Sequence, residues 1–138
     1  MANEGDGVQV EGIAQIALTV TDLEEAKAFY RDVLGMRFSF EAGNMVFFRC
    51  GDVRLMIGAS ERTAPGGGTI VYFRVPDLDV SFLALQRQGV EIVQEPHLVA
   101  RMKGYDLWLA FVKDPSGNTL GLMCERPKSE GSEPPVTH

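Results

Sequence analysis

The feature that most constrains the fold is an internal repeat. The stretch QIALTVTDL, residues 15–23, lines up with IVYFRVPDL, residues 70–78, which begins 55 positions further along the chain. In each copy a strand-like run leads into a helix start, and further strand-like runs follow. Because the order of these runs, their offset and their turn positions agree between the copies, the repeat predicts two β-α-β-β-β modules whose helices pack on one face of the sheets.

Local signals support this order in the first copy. Thr21 and Glu24 have the spacing of a capping box, and Gly35 is predicted to end the helix that follows. The stretches AGN, residues 42–44, and GD, residues 51–52, separate three strand-like runs and are typical hairpin turns. Apolar residues recur along one face of the helix: Leu23, Ala26, Phe29, Tyr30, Val33 and Leu34.

The second copy carries the same signals. We expect its helix to run from Asp77 to about Gln88, with Gly89 as its end. The runs EIVQE, LWLAFVK and TLGLMC are predicted strands, and PHLVARMKGYD between the first two is predicted to be partly strand. DPSGN, residues 114–118, is predicted to be a tight turn because Pro and Gly fix its backbone angles.

Composition sets the domain limits. A chain of 138 residues fits one domain, which we place at residues 12–124. Its modules cover 12–58 and 69–124 and are joined by a linker at 59–68. The polar ends, 1–11 and 125–138, are rich in Gly, Pro, Ser and Glu, and we expect them to be disordered.

The net charge and the cysteine content limit which partners and which cellular compartment we expect for this protein. The net charge of −6 argues against a nucleic-acid partner, and no apolar run is long enough for a membrane helix. With no signal peptide and only Cys50 and Cys124, both in apolar runs, we expect buried thiols in a cytoplasmic protein. Five arginines are scattered along the sequence and form no evident nucleic-acid stripe: Arg49, Arg54, Arg74, Arg87 and Arg101.

Three stretches together carry a family resemblance: IAQIALTVTDLEEAKAFYRDVLGMRF, VYFRVPDLD and FVKDPSGNTLGLM. They resemble the vicinal oxygen chelate superfamily, which includes glyoxalases, bleomycin resistance proteins and extradiol dioxygenases. The resemblance implies an α+β fold of two tandem βαβββ modules. Their sheets curl into a mixed sheet with an open cup, the helices lie on the outer face, and the protein is commonly a homodimer.

The resemblance also implies where a divalent metal would be bound. Its ligand positions fall on Gln15, Ile70 and Gly121, while the last strand of the first module, VRLMIG, offers no His, Asp or Glu. One potential ligand in four is too few for zinc, which takes about three or four. We therefore expect no metal cofactor, with Gln15 the only ligand if a divalent metal is present after all.

Alternation along the strands predicts which side chains line the cup. Small and apolar side chains predominate there, and this composition suits a small organic ligand, for which Gly121 would leave room. Trp108 is added to this set as a bulky candidate. The predicted ligand-binding residues are Gln15, Ala17, Ile70, Tyr72, Trp108, Gly121 and Met123.

The segment EPHLVARMKGYDLW contains the candidates for acid–base chemistry. His97 and Asp106 could transfer a proton near neutral pH if the two side chains meet. The alternative is a surface hairpin in which His97 bonds backbone and Trp108 fills core.

Three functions stay open on the sequence. The first is a metal-free protein that binds a small organic molecule in its cup. The second is a metal-dependent lyase, isomerase or dioxygenase. The third is a metal-independent enzyme that uses His97, Asp106 or Tyr72 for proton transfer.

Overall fold

The predicted β-α-β-β-β order occurs twice in the computed structural model, which describes residues 7–9, 11–59 and 69–128. The first module contains β1 Gln15–Val20, α1 Leu23–Ala28, a π-helical turn Phe29–Val33, β2 Arg37–Ala42, β3 Met45–Cys50 and β4 Val53–Ala59. The second contains β5 Val71–Arg74, α2 Leu78–Arg87, β6 Glu91–Arg101, β7 Tyr105–Lys113 and β8 Thr119–Pro127.

Each module forms a four-stranded mixed sheet with the same strand order. The orders are β1-β4-β3-β2 and β5-β8-β7-β6. In both sheets the first and last strands of the module pair in parallel, and the other pairs are antiparallel. The sheets curl without closing into a barrel, so each keeps an open face opposite its helix. The predicted α+β architecture is confirmed.

The helices begin at aspartates. Asp22 caps α1, since its Oδ1 accepts a hydrogen bond from the Glu25 amide at 3.0 Å. The capping box predicted from Thr21 was therefore wrong by one residue: Asp22 is the N-cap, and the Thr21 hydroxyl instead lies 3.2 Å from the Ser116 hydroxyl. Asp77 caps α2 as predicted, and its Oδ1 accepts from the Val80 amide at 3.2 Å.

One apolar core connects the two modules. The predicted apolar face packs there, with Ala26 of α1 and with Phe29 and Tyr30 of the π-helical turn buried. The second module contributes Leu120 and Leu122, which alternate along β8 and are buried in the same core. Side chains that point the other way along the same strands lie on the open faces. The core side of each sheet is therefore the side that its helix covers.

The DPSGN turn joins the modules. Asp114 holds the turn itself, because its Oδ1 accepts from the Ser116 and Asn118 amides at 2.9 and 2.8 Å. Its Oδ2 accepts from the buried Tyr30 hydroxyl of the first module at 2.8 Å. Asn118 Nδ2 donates to the Thr19 carbonyl at 2.9 Å. A motif that reads as a turn in the sequence is thus also the polar contact between the two modules.

Two strand boundaries and one cysteine differ from the predictions. β6 continues to Arg101, so most of PHLVARMKGYD is strand. β8 continues to Pro127, past the predicted domain end, because it pairs with the start of β7. Cys50 is exposed rather than buried, since it ends β3 at a hairpin, whereas Cys124 is buried as expected.

Other predictions fall outside the described residues. The linker beyond residue 59 and most of both predicted tails, 1–6 and 129–138, belong to this group. Within the described ranges, no helix is long and apolar enough to cross a membrane.

Candidate functional site: the open faces of the two sheets

The open face of the first sheet consists of rows of side chains that cross its four strands. These rows follow from the strand register, because directly paired residues point to the same face. The first row is Gln15, Arg54, Arg49 and Arg37. The second row is Ala17, Met56, Phe47 and Phe40. The third row is Thr19, Gly58, Met45 and Ala42.

Gln15 is held by its neighbours on β4. Arg54 Nε donates a hydrogen bond to Gln15 Oε1 at 2.8 Å. The amide nitrogen of Gln15 lies 3.7 Å from Met56 Sδ. The one side-chain oxygen at this predicted ligand position is therefore directed at a guanidinium group.

Arg37, Arg49 and Arg54, which we call the arginine row, stand side by side and are exposed. None of them forms an ion pair with an acidic residue in the part of the chain that the structure describes. The expectation of scattered arginines was wrong here, since strand pairing brings together residues up to 17 positions apart in the sequence. An acidic chain thus carries a local concentration of positive charge.

Beside the arginine row lies a stacked aromatic pair, Phe40 and Phe47. Their ring centroids are 4.3 Å apart, with an angle of 14° between the planes. Phe47 is 8% exposed, and its ring also lies 5.5 Å from the Arg54 guanidinium carbon. Phe40 is 43% exposed. The alternation in β3 could have predicted Phe47, but a bulge in β2 between Phe38 and Phe40 obscured Phe40.

On the second sheet, Tyr72 covers Gly121. The two residues are paired between β5 and β8. A Cβ added at Gly121 would lie 2.5 Å from Tyr72 Cδ2, well inside van der Waals contact. The space at Gly121 that we expected a ligand to fill is therefore taken by the Tyr72 ring. The outer side of that ring remains available, because Tyr72 is 46% exposed.

His97 lies on the same open face as Tyr72. Both rings approach Phe111, at centroid distances of 6.5 and 5.8 Å respectively. His97 Nδ1 is 2.9 Å from the Glu95 carbonyl oxygen. A carbonyl only accepts, so Nδ1 carries the hydrogen and Nε2 keeps its lone pair in the neutral ring. That nitrogen could accept a proton from a bound molecule.

Asp106 and Trp108 lie on the other side of β7. Asp106 is 8% exposed, and its Oδ1 accepts from Lys128 Nζ at 3.0 Å. Trp108 packs against the core, with the Arg126 guanidinium carbon 4.4 Å from its ring centroid. Because β-strand side chains alternate, neither residue shares a face with His97. The structure therefore does not bring together His97 and Asp106.

The remaining candidates keep their places near the open faces. Ala17 is exposed in the second row of the first sheet, next to Met56. Met123 points to the same side as Gly121, two residues earlier on β8. Ile70 immediately precedes β5 and is 36% exposed. These residues add small and apolar surface to the open faces but no titratable group.

The donor set does not fit a divalent metal. No group of three or more His, Cys, Asp or Glu side chains with suitable placement occurs among residues 7–9, 11–59 and 69–128. At the positions suggested by the resemblance, Ile70 has no donor and Gly121 has no side chain. The Gln15 oxygen faces the positive charge of Arg54. A cation there would be repelled, and zinc or harder ions need about three or more donors.

Comparison with known proteins agrees with this fold. The chain is 24% identical over 125 residues to the uncharacterized protein YraH of Bacillus subtilis (strain 168), covering 80% of this chain and 95% of that protein. A putative glyoxalase family protein from Bacillus anthracis superposes with a TM-score of 0.69 at 23% identity, covering 87% of this chain and 99% of that one.

A solved lactoylglutathione lyase from Agrobacterium tumefaciens gives a TM-score of 0.65 at 24% identity, covering 83% of this chain and 94% of that one. These likenesses show the fold. The sequence profile of the Glyoxalase/Bleomycin resistance protein/Dioxygenase superfamily matches residues 12–122, most of the chain. Together with the doubled βαβββ architecture, that match shows that the chain belongs to the glyoxalase/bleomycin resistance protein/dioxygenase superfamily.

Proposed function

We propose that this protein binds a small organic molecule in its cup without the help of a metal ion. The observation that carries the proposal is what lies at two positions where the resemblance implies metal ligands. Arg54 donates a hydrogen bond to the side-chain oxygen of Gln15, and the Tyr72 ring covers Gly121. A cation and an aromatic ring therefore take these two positions, and such groups are suited to holding an organic ligand.

The composition of the open faces supports an organic ligand. Phe40 and Tyr72 expose large parts of their rings, and Met56 lies between Phe47 and Ala17 in the second row. Aromatic rings and methionine adapt well to apolar ligand surface. A few polar groups, the arginine row above all, would orient the ligand.

The experiment is recovery of the bound molecule. Freshly purified protein is denatured, and the released small molecules are identified by mass spectrometry. The test variant is Ala17→Trp, which puts a bulky ring on the open face. Its matched control is Ala84→Trp, which changes an exposed alanine on α2. We expect a molecule from the wild type and from Ala84→Trp, and much less from Ala17→Trp. Equal recovery from both variants would place the ligand elsewhere.

A second candidate function is acid–base catalysis without a metal. The placement of His97 favours it, since Nε2 is available on the same face as Tyr72. The recovered molecule can be incubated with protein in D2O and followed by NMR. Deuterium incorporation that disappears in His97→Gln would support catalysis. No incorporation with the wild type would leave binding alone.

The family resemblance extends the proposal to the assembly and its setting. We infer a homodimer, in a reducing cytoplasmic environment that suits the two free cysteines, Cys50 and Cys124. Light scattering on a sizing column tests the dimer. A monomer mass at working concentration would remove this part without affecting the ligand proposal.

A further inference from the structure

We infer that the ligand is a small amphipathic organic anion, whose charged end binds the arginine row and whose apolar body lies on the exposed ring of Phe40, which is stacked on the buried Phe47. This inference rests on the proposed function and names the chemical class of its ligand. The first row, which contains the arginine row, and the second row, which contains Phe40 and Phe47, run side by side across the same four strands. A molecule with one anionic end and a flat apolar body matches both at once.

The arginine row is costly without an anion. Cross-strand neighbours have Cβ atoms about 5 Å apart, and like charges placed directly opposite each other destabilise a sheet. Arg49 is paired with Arg54 on one side and with Arg37 on the other. No acidic side chain in the described ranges forms an ion pair with any of the three. A bound carboxylate or phosphate would relieve this repulsion.

The orientation of Arg54 suits a carboxylate or phosphate. Its Nε donates a hydrogen bond to the Gln15 side-chain oxygen at 2.8 Å, and its guanidinium carbon lies 5.5 Å from the Phe47 ring centroid. Two contacts therefore fix the plane of the group and leave its terminal nitrogens for a ligand. Arginine forms paired hydrogen bonds to such anions, and these are stronger than bonds between neutral groups.

The aromatic pair argues for an organic body on that anion. Phe40 is 43% exposed and stacked on Phe47, which lies two residues from Arg49 on β3 and has its ring centroid 5.5 Å from the Arg54 guanidinium carbon. An inorganic ion would leave this apolar surface in water. A long polyanion such as a nucleic acid would be repelled by the rest of the chain, whose net charge is −6.

The experiment uses 2-naphthoate, a flat aromatic molecule with a single carboxylate, and titrates it into the full-length protein by calorimetry at low salt. The neutral 2-naphthamide tests the need for charge, and inorganic phosphate tests the need for the ring. The test variant is Arg49→Gln, and the control is Arg87→Gln, which makes the same charge change on the exposed surface of α2. Duplex DNA is titrated as a competing class of anion.

We expect saturable 2-naphthoate binding, with Arg49→Gln weaker by about tenfold and Arg87→Gln unchanged. 2-Naphthamide and phosphate should bind more weakly than 2-naphthoate, and duplex DNA should not bind. Without ligand, Arg49→Gln should melt about 1–3 °C higher than the wild type, because the repulsion is reduced. This second readout also shows that the variant is folded.

Three results would overturn the inference: no 2-naphthoate binding to the wild type, equal losses in both variants, or tighter binding of DNA. The proposed function is judged separately by the molecule recovered from the purified protein. A neutral recovered molecule would support the proposed function and contradict the inference that the ligand is an anion. Recovery of nothing would contradict the proposed function itself.

Discussion

The ring of Tyr72 lies over Gly121, so close that a Cβ on Gly121 would be 2.5 Å from Tyr72 Cδ2. A strand glycine leaves bare backbone, and an aromatic neighbour on the next strand can cover it. Here the Tyr72 ring, which is 46% exposed, covers the position at which the family resemblance implies a metal ligand. The contact between Tyr72 and Gly121 therefore makes this part of the cup an aromatic surface.

The contact predicts a strong coupling between the two residues. Gly121→Ala should cost about 1–3 kcal/mol of unfolding free energy, because the new methyl group displaces the ring. In a Tyr72→Ala background the same change should cost much less. Urea denaturation of the four proteins in a double-mutant cycle measures the difference.

Gly58→Ala is the matched control, since a Cβ there would be an ordinary 3.5 Å from Met45 Cγ. If Gly121→Ala costs no more than Gly58→Ala, the Tyr72 ring is not held where the structure places it.

Tyr30→Phe tests the junction between the modules. The variant removes the hydrogen bond to Asp114 and keeps the buried ring, so we expect a loss of about 1–3 kcal/mol. Tyr105→Phe, on β7 away from the junction, should cost less. Equal losses in urea denaturation would show that the Tyr30 hydroxyl adds nothing particular to the contact between modules.

The same tyrosine predicts how stability changes at alkaline pH. Burial raises the pKa of Tyr30 above its ordinary value, and the nearby Asp114 carboxylate raises it further. Above pH about 10 the unfolded chain loses this proton while the folded protein keeps it, so stability falls as pH rises. Below that pH the contribution is fully present.

We expect wild-type stability to fall more steeply above pH 10 than that of Tyr30→Phe, by up to about 1.4 kcal/mol per pH unit. Thermal denaturation of both proteins across this range measures the difference. Parallel pH curves would contradict the assignment.

Gln15 should act by positioning Arg54. Gln15→Glu keeps the shape and pairs Arg54 with a negative charge, so 2-naphthoate binding should fall by about tenfold while the protein remains folded. Gln15→Met removes the acceptor without adding charge, and a smaller loss is expected. Calorimetry on both variants checks the order. Tighter binding in Gln15→Glu would contradict the role assigned to Arg54.

The sequence predicted the framework of the protein well and its site only in part. The repeat and the turn residues were enough for the order of elements, because Gly35, Gly43 and Gly89 end elements where only a left-handed backbone fits. Single-strand alternation also placed Gln15 and Gly121 on the open faces.

What the sequence did not show depends on neighbours across strands. The arginine row needs the register of β2, β3 and β4, and the cover over Gly121 needs the rotamer of Tyr72. Whether His97 and Asp106 meet could not be read from the sequence, because the answer depends on the bulges in β6 and the alternation of β7, which separate them. Such relationships between strands are not written in any one stretch of the chain.

Elemental analysis is the decisive test of whether this superfamily fold binds its ligand without a metal, as we propose. Protein purified without chelator is analysed for Zn, Ni, Fe and Mn, and then titrated with each ion. We expect metal well below one ion per chain, no saturable binding of any ion, and an unchanged melting temperature after EDTA. Close to one tightly held ion per chain, lost in Gln15→Ala, would show that the site is a metal site.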